Sequence, residues 1–244
     1  LLANMALDGM ERMLKEHFPG KKVHLIRFAD DFLVTADSQE TALQCKELIT
    51  EFLHERGLEL SEEKTRIVHI NDGFDFLGWN FRKFKGKFLI QPSKKAIAAI
   101  IDKVRTIIKA AKAWKQEDLI KALNPVIKGW AMYHRTVSAS MTFGKLDWIV
   151  RNMLWKWAKR RHNNKGKIWI AKKYWHQTFS RKQVFKTSTL TLENFSNTKI
   201  EYRKFIKLDA NPFIDTEYFE NRPGVFLSKQ RSIRMFLHYA HKSG

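Results

Sequence analysis

Hydrophobic positions in the first ninety residues change period twice. Val23-His24-Leu25-Ile26-Arg27 and Phe32-Leu33-Val34-Thr35 alternate as short strands, and they flank Phe28-Ala29-Asp30-Asp31, which predicts a β-hairpin. From Asp37 or Ser38, either able to cap a helix, Ala42, Cys45, Leu48, Ile49, Phe52 and Leu53 recur at the 3.6-residue period, up to a stop at Gly57. Leu58 to Asn80 reads as extended again, with Lys64-Thr65-Arg66 inside it and Phe74-Asp75-Phe76-Leu77-Gly78-Trp79 at its end. Strand, helix and strand predict an α+β layer.

After Pro92 the pattern turns helical. Ile97, Ile100, Ile101, Val104, Ile108 and Ala111 form one apolar stripe, while Arg105, Lys109 and Lys112 line another face. Asn124-Pro125 has the form of an N-cap followed by proline at the first helical position, opening a helix through Ile127, Trp130, Ala131, His134 and Val137, with Asp118–Leu123 as a separate short turn before it. A third helix is expected from about Phe143 to Arg161, burying Phe143, Leu146, Val150, Met153, Leu154 and Trp157. Three helices with short connections predict a bundle. Beyond Asn163-Asn164-Lys165-Gly166-Lys167 the signal weakens into short aromatic and basic stretches, with turns at Asp209-Ala210-Asn211-Pro212 and Arg222-Pro223-Gly224. The expected division is residues 1–92, 93–187 and 188–244.

Charge sharpens that division. The net formal charge is +20, from 45 Lys+Arg against 25 Asp+Glu. Residues 1–92 carry 13 basic and 15 acidic side chains, residues 93–187 carry 23 and 4, and residues 188–244 carry 9 and 6. Nearly all the excess therefore lies in the middle segment, which is the electrostatic footprint of a polyanion partner; nucleic acid is the first choice and an anionic membrane surface the second. Trp114, Trp130, Trp148, Trp155, Trp157 and Trp169 are interleaved with those cations. Rings among cations suit single-stranded or structured RNA, although most of these tryptophans are expected to be core residues.

The single cysteine, Cys45, excludes an intrachain disulfide or a Cys-rich zinc site and is expected to be buried. No stretch approaches the roughly 20 apolar residues that cross a bilayer, so a cytoplasmic protein without a membrane partner is expected. The opening, Leu1-Leu2-Ala3-Asn4-Met5, reads as a helix begun in the middle of something larger.

The paired carboxylates carry the candidate chemistry. Adjacent aspartates between apolar strands call for a cationic partner, and a divalent metal is the natural one. In nucleotidyl transfer two magnesium ions hold the attacking and leaving oxygens, and carboxylates hold the ions. An Asp-Asp pair in a turn is weak evidence alone, because aspartate is a common turn residue.

The order of motifs strengthens it. Leu1-Leu2-Ala3-Asn4, Arg27-Phe28-Ala29-Asp30-Asp31-Phe32, Gly57-Leu58 through Ser61-Glu62-Glu63-Lys64-Thr65, and Phe76-Leu77-Gly78-Trp79 resemble the successive palm motifs of group II intron reverse transcriptases. Asn124-Pro125-Val126-Ile127-Lys128-Gly129-Trp130, Leu154-Trp155-Lys156-Trp157-Ala158-Lys159-Arg160-Arg161-His162 and Lys172-Lys173-Tyr174-Trp175 resemble that family's thumb and maturase region, domain X.

The resemblance implies a partial palm in residues 1–92, a helical thumb/maturase domain in 93–187 and a C-terminal DNA-binding-like segment in 188–244. It makes Asp30 and Asp31 ligands of catalytic Mg2+, Lys64 a catalytic lysine near the nucleotide phosphates, and Phe76, Leu77 and Gly78 the primer grip. The expected nucleic-acid contacts are Arg105, Lys109, Lys112, Lys128, Arg135, Arg151, Lys159, Arg160, Arg161, Lys165, Lys167, Lys172 and Lys173. The implied function is to bind group II intron RNA in splicing and, at full length, to copy RNA into DNA in intron mobility, with a DNA target as further partner. Phe28 stands where the family usually has Tyr. The third carboxylate and the fingers belong to an N-terminal portion expected outside these residues, on the same or a separate chain, so this chain alone is expected to be inactive. The family's C-terminal endonuclease uses Cys and His ligands, and no Cys pair is present for it. Two alternatives stay open: a splicing-only maturase with a vestigial polymerase site, and another bacterial reverse transcriptase.

Overall fold

A computed structural model describes residues 5–176, 183–201 and 215–220. The turns expected at 209–212 and 222–224, and Leu1 to Asn4, lie outside the described residues. The chain divides into two compact units, residues 1–90 and 91–244. Helices and strands mix, as the α+β reading requires.

In the first unit, α1 (Met10–His17) and α2 (Gln39–His54) pack on the hairpin of β1 (His24–Phe28) and β2 (Asp31–Thr35). The hairpin is antiparallel, with Leu25 opposite Val34 and Phe28 opposite Asp31. Met10, Leu14, Phe18, Val23, Cys45, Ile49, Phe52 and Leu53 form the core, and Leu25, Phe32 and Val34 pack against it. Cys45 is buried as expected. Ser38 caps α2 by accepting the Thr41 N–H at 3.1 Å. Gly57 closes it at φ 67, and the Leu58 N–H returns to the Leu53 carbonyl at 2.9 Å, a Schellman ending.

The stretch read as extended from Leu58 to Asn80 is strand only at its end. Residues 58–73 are irregular and turned: the Lys64 and Thr65 N–H groups both donate to the Ser61 carbonyl, at 3.1 and 2.9 Å. A run of exposed charges at Glu62, Glu63 and Lys64 offers no apolar face to fix a strand. Beyond it, β3 (Phe74–Phe76), β4 (Trp79–Phe84) and β5 (Lys87–Pro92) form a sheet in that order. Two-residue turns join them at Leu77-Gly78, φ 49 and 79, and Lys85-Gly86, φ 47 and 78, the signature of type I′ hairpins.

The second unit is built on α3 (Lys94–Ala110), α4 (Gln116–His134) and α5 (Ser140–Arg161), with α6 (Lys167–Tyr174) beside α5. Ser93 caps α3 by accepting the Ala96 N–H at 3.0 Å, and Ile100, Val104, Ile108 and Ala111 are buried. The Trp157 indole N–H donates to the Ala111 carbonyl at 2.7 Å, pinning α5 to the end of α3. Past α6 come a small ladder, β6 (Trp175–His176) with β7 (Val184–Phe185), a 3₁₀ turn at Phe195–Asn197 packed on α4 and α5, and the short α7 (Thr216–Glu220).

Pro125 does not open a helix. It lies inside α4, and Asn124 is no cap: its amide donates to the Thr191 carbonyl at 3.0 Å and its oxygen accepts the Glu193 N–H at 2.9 Å. Leu119, Ile120, Leu123, Ile127 and Ala131 are buried in one helical stripe across the proline. Burying five such side chains, at roughly 1.5–3 kcal/mol for each large one, outweighs a local cost of about 3 kcal/mol for proline in a helix.

Candidate nucleic-acid interface

The register of β1 and β2 places Asp30 in the turn and Asp31 at the first position of β2, across from Phe28. Cross-strand partners share a face of a hairpin, so the Phe28 ring and the Asp31 carboxylate stand side by side. Phe28, Asp30 and Asp31 are exposed. Ala29, at φ 56, makes the tight reversal, and the Arg27 guanidinium donates to its carbonyl at 3.4 Å. Lys64 sits exposed in the Ser61–Thr65 turn, and no hydrogen bond or ion pair joins it to Asp30 or Asp31 among the described residues. Phe76, Leu77 and Gly78 form the strand end and turn of β3–β4, where Phe76 pairs with Trp79.

Asp30 and Asp31 are hard oxygen donors suited to Mg2+. Among the described residues they are joined by no third His, Cys, Asp or Glu in metal-binding reach. The described residues thus fit part of a ligand set and leave it incomplete.

The expected nucleic-acid contacts fall into two groups. Arg105 pairs with Asp102 on its own helix, and Arg135 pairs with Glu201 at 3.1 Å. Arg151 donates to the Gln183 side chain, and Arg161 donates to the Lys112 carbonyl at 2.7 Å while its guanidinium lies 4.7 Å from the Trp157 ring centre. Arg135, Arg151 and Arg161 join separate segments of the fold as well as carrying charge. Lys109, Lys112, Lys128, Lys159, Arg160, Lys165, Lys167, Lys172 and Lys173 are all exposed.

The end of α5, the turn after it and α6 bring several of these side chains together. His162 accepts or donates one hydrogen bond with the Tyr174 hydroxyl at 2.8 Å, and its ring meets Trp169 edge-on at 4.8 Å. Desolvation, then the charges of Lys173, Arg161 and Lys165, hold the His162 pKa below its ordinary value. Lys173 and Lys165 lie over the Trp169 ring, 4.9 and 5.6 Å from its centre.

The tryptophans correct an expectation. Of the six read as mostly core, Trp157 alone is buried, Trp130 and Trp155 are half-buried, and Trp114, Trp148 and Trp169 are exposed. Helical spacing cannot tell a packed ring from one on the next face, and α5 carries tryptophan on more than one face.

Sequence reasoning also missed the side chains that seat residues 187–201. Asp147 accepts the Phe195 and Ser196 N–H groups at 2.7 and 3.1 Å, and Thr189 donates to Glu117 at 3.1 Å. An acid within the basic α5 was the available signal.

A carboxylate-tipped hairpin unit followed by a basic, ring-bearing helical unit is an arrangement suited to a nucleic-acid partner. Comparison with known proteins makes that specific. Residues 1–81 match the reverse transcriptase (RNA-dependent DNA polymerase) family, and residues 97–175 match the group II intron maturase-specific domain. The chain is 30% identical to Maturase-like protein 1 of Euglena gracilis over 155 residues, covering 59% of this chain and 31% of that protein. It is 28% identical to the Ribosomal operon-associated A protein of Euglena longa over 133 residues, 54% of this chain and 26% of that protein. It is 39% identical to the Group II intron-encoded protein LtrA of Lactococcus lactis subsp. cremoris over 64 residues, 25% of this chain and 11% of that protein. With the two domains in tandem, the chain belongs to the group II intron reverse transcriptase/maturase family. It spans about a third or less of the length of these curated relatives. Among the described residues no helix is long and apolar enough to cross a membrane.

Proposed function

We propose that the chain binds group II intron RNA to assist splicing and that, within a full-length protein, Asp30 and Asp31 supply two of the Mg2+ ligands for RNA-directed DNA synthesis in intron mobility. The observation that carries this reading is the segregation of charge. Residues 93–187 hold 23 basic and 4 acidic side chains, and the lysines at the end of α5 and on α6 are exposed. In this reading residues 93–187 are the RNA-binding domain, residues 1–92 contribute the palm carboxylates, Lys64 and the Phe76–Gly78 primer grip, and residues 188–244 contact a DNA target. An N-terminal reverse transcriptase portion completes the metal site and the fingers.

The two activities then separate by mutation. In a full-length or reconstituted protein, Asp30→Ala with Asp31→Ala removes metal-assisted charge stabilisation and lowers nucleotidyl transfer by orders of magnitude, while splicing persists. Lys159, Arg160, Lys172 and Lys173 changed together to Ala weaken intron binding and splicing and leave short-template primer extension comparatively intact. Arg161 is left out of this set because it holds the Lys112 carbonyl. Splicing and primer extension are assayed on both variants; a basic variant that splices normally, or an aspartate variant that loses both activities alike, contradicts the assignment.

A further inference from the structure

Trp169 is out of place as a packing residue. Trp157 and Trp175 are 3% and 6% exposed, but Trp169, third in α6, keeps 40% of its surface open. The ring is nevertheless held. The turn at His162–Lys165, closed by the Lys165 N–H on the His162 carbonyl at 3.1 Å, folds the chain back beside α6. The His162 ring meets the indole edge-on at 4.8 Å, and the buried Tyr174 fixes His162 through the 2.8 Å hydrogen bond. Lys173, one turn further along α6, and Lys165, from the loop, bring two ammonium groups over the indole.

An ammonium over an exposed ring gains little, whereas a phosphodiester offers it a full opposite charge. A phosphate arriving at Lys165 or Lys173 therefore draws the ammonium off the indole. The face it leaves is a flat, apolar platform of about the size of a base, with His162 against the ring and Lys165 and Lys173 close by. A base inside a duplex has both faces covered by its neighbours and cannot use the platform; an unpaired base can.

We propose that Trp169, Lys165 and Lys173 form a subsite for one unpaired nucleotide, the base stacked on the indole and its phosphate held by the lysines. This rests on the reading of the helical unit as an RNA-binding domain, and names the form of RNA that this part of it takes.

The test uses the whole 244-residue chain and three probes of equal charge: a short single-stranded oligoribonucleotide, the same backbone with abasic riboses, and an RNA duplex of half that length. Trp169→Ala is expected to weaken binding of the intact single strand by roughly 5- to 100-fold, the size of one lost base–aromatic stack, and to change binding of the abasic strand and the duplex less than about 2-fold. Trp169→Phe keeps a ring and restores most of the affinity. Lys165→Ala with Lys173→Ala weakens the intact and abasic strands alike and reduces the salt slope by about 0.7, the share of the one phosphate the two lysines hold. Thermal melting of each variant matches the parent, since the ring is exposed. If Trp169→Ala binds the intact strand as the parent does, or loses the abasic probe to the same degree, the subsite is wrong while the RNA-binding domain stands. If the parent binds none of the probes in a salt-dependent way, the domain reading itself fails.

Discussion

At the scale of single residues, the described part of the helical unit includes a buried histidine whose protonation couples to stability. His134 is 2% exposed, its ring lies 4.1 Å from that of Trp130, and burial lowers its pKa from 6.5 to about 4. Above about pH 6.5 the imidazole is neutral in both folded and unfolded chains and contributes no pH dependence. As pH falls from 6.5 toward 4, the unfolded chain takes up a proton that the folded one refuses, so stability declines. At pH 5 the loss is about 2 kcal/mol by linkage. Urea unfolding at pH 7 and pH 5, followed by tryptophan fluorescence, measures this in the helical unit, which holds all the tryptophans except Trp79. His134→Phe is expected to flatten the dependence in that window; an equal loss in parent and variant assigns it to other groups. Much at this scale was legible in advance. Cys45 among apolar helical positions had to be buried, and Ser38, one of the two candidate caps, caps the helix that follows it because a side-chain oxygen there meets an otherwise unpaired N–H. The partners of Asn124 and Asp147 were not legible, because they lie 67 to 69 and 48 to 49 residues away along the chain.

Elements follow their hydrophobic period even where a residue disfavours it. Pro125 removes an N–H from the interior of α4 and leaves the Lys121 carbonyl without its intrahelical donor. Pro125→Ala is therefore expected to stabilise the helical unit by roughly 2 kcal/mol, the helical gain of about 3 less the added freedom of the unfolded chain. Thermal melting of the variant checks this, and a lower midpoint would mean that the proline sets a bend on which Asn124 and residues 191–193 depend. The expectation of a helix start at Asn124-Pro125 fails for the same reason. Local propensity favours a boundary there, while the stripe from Leu119 to Ala131 favours continuity, and burial outweighs propensity. In the first unit the opposite holds: residues 58–73 have no apolar period, and the chain turns instead of pairing.

For the whole molecule, charge placement governs behaviour in solution. If about five phosphates are neutralised, the log–log slope of affinity for single-stranded RNA against salt is roughly −3.5. A titration from low to physiological salt measures it, and affinity nearly independent of salt would remove the electrostatic account. Catalysis is also a property of the whole. Because no third metal-ligating side chain joins Asp30 and Asp31 among the described residues, the 244-residue chain with Mg2+ is expected not to extend a primer on an RNA template. cDNA made by the purified chain would point to a further carboxylate contributed by its own residues.

The linear chain by itself determined the helical period of α2, α3 and α5, the hairpin that carries Asp30 and Asp31, and the concentration of positive charge between Ser93 and Thr187. Each depends on residues near one another in sequence: strand alternation, helical period, turn chemistry and a sum of charges. Tertiary structure alone decided which tryptophans are covered, which arginines are occupied by carboxylates and carbonyls of the fold, and which cations meet at Trp169. Those outcomes depend on which surfaces face each other once the helices pack, and a period of 3.6 residues defines a face without naming what will stand against it.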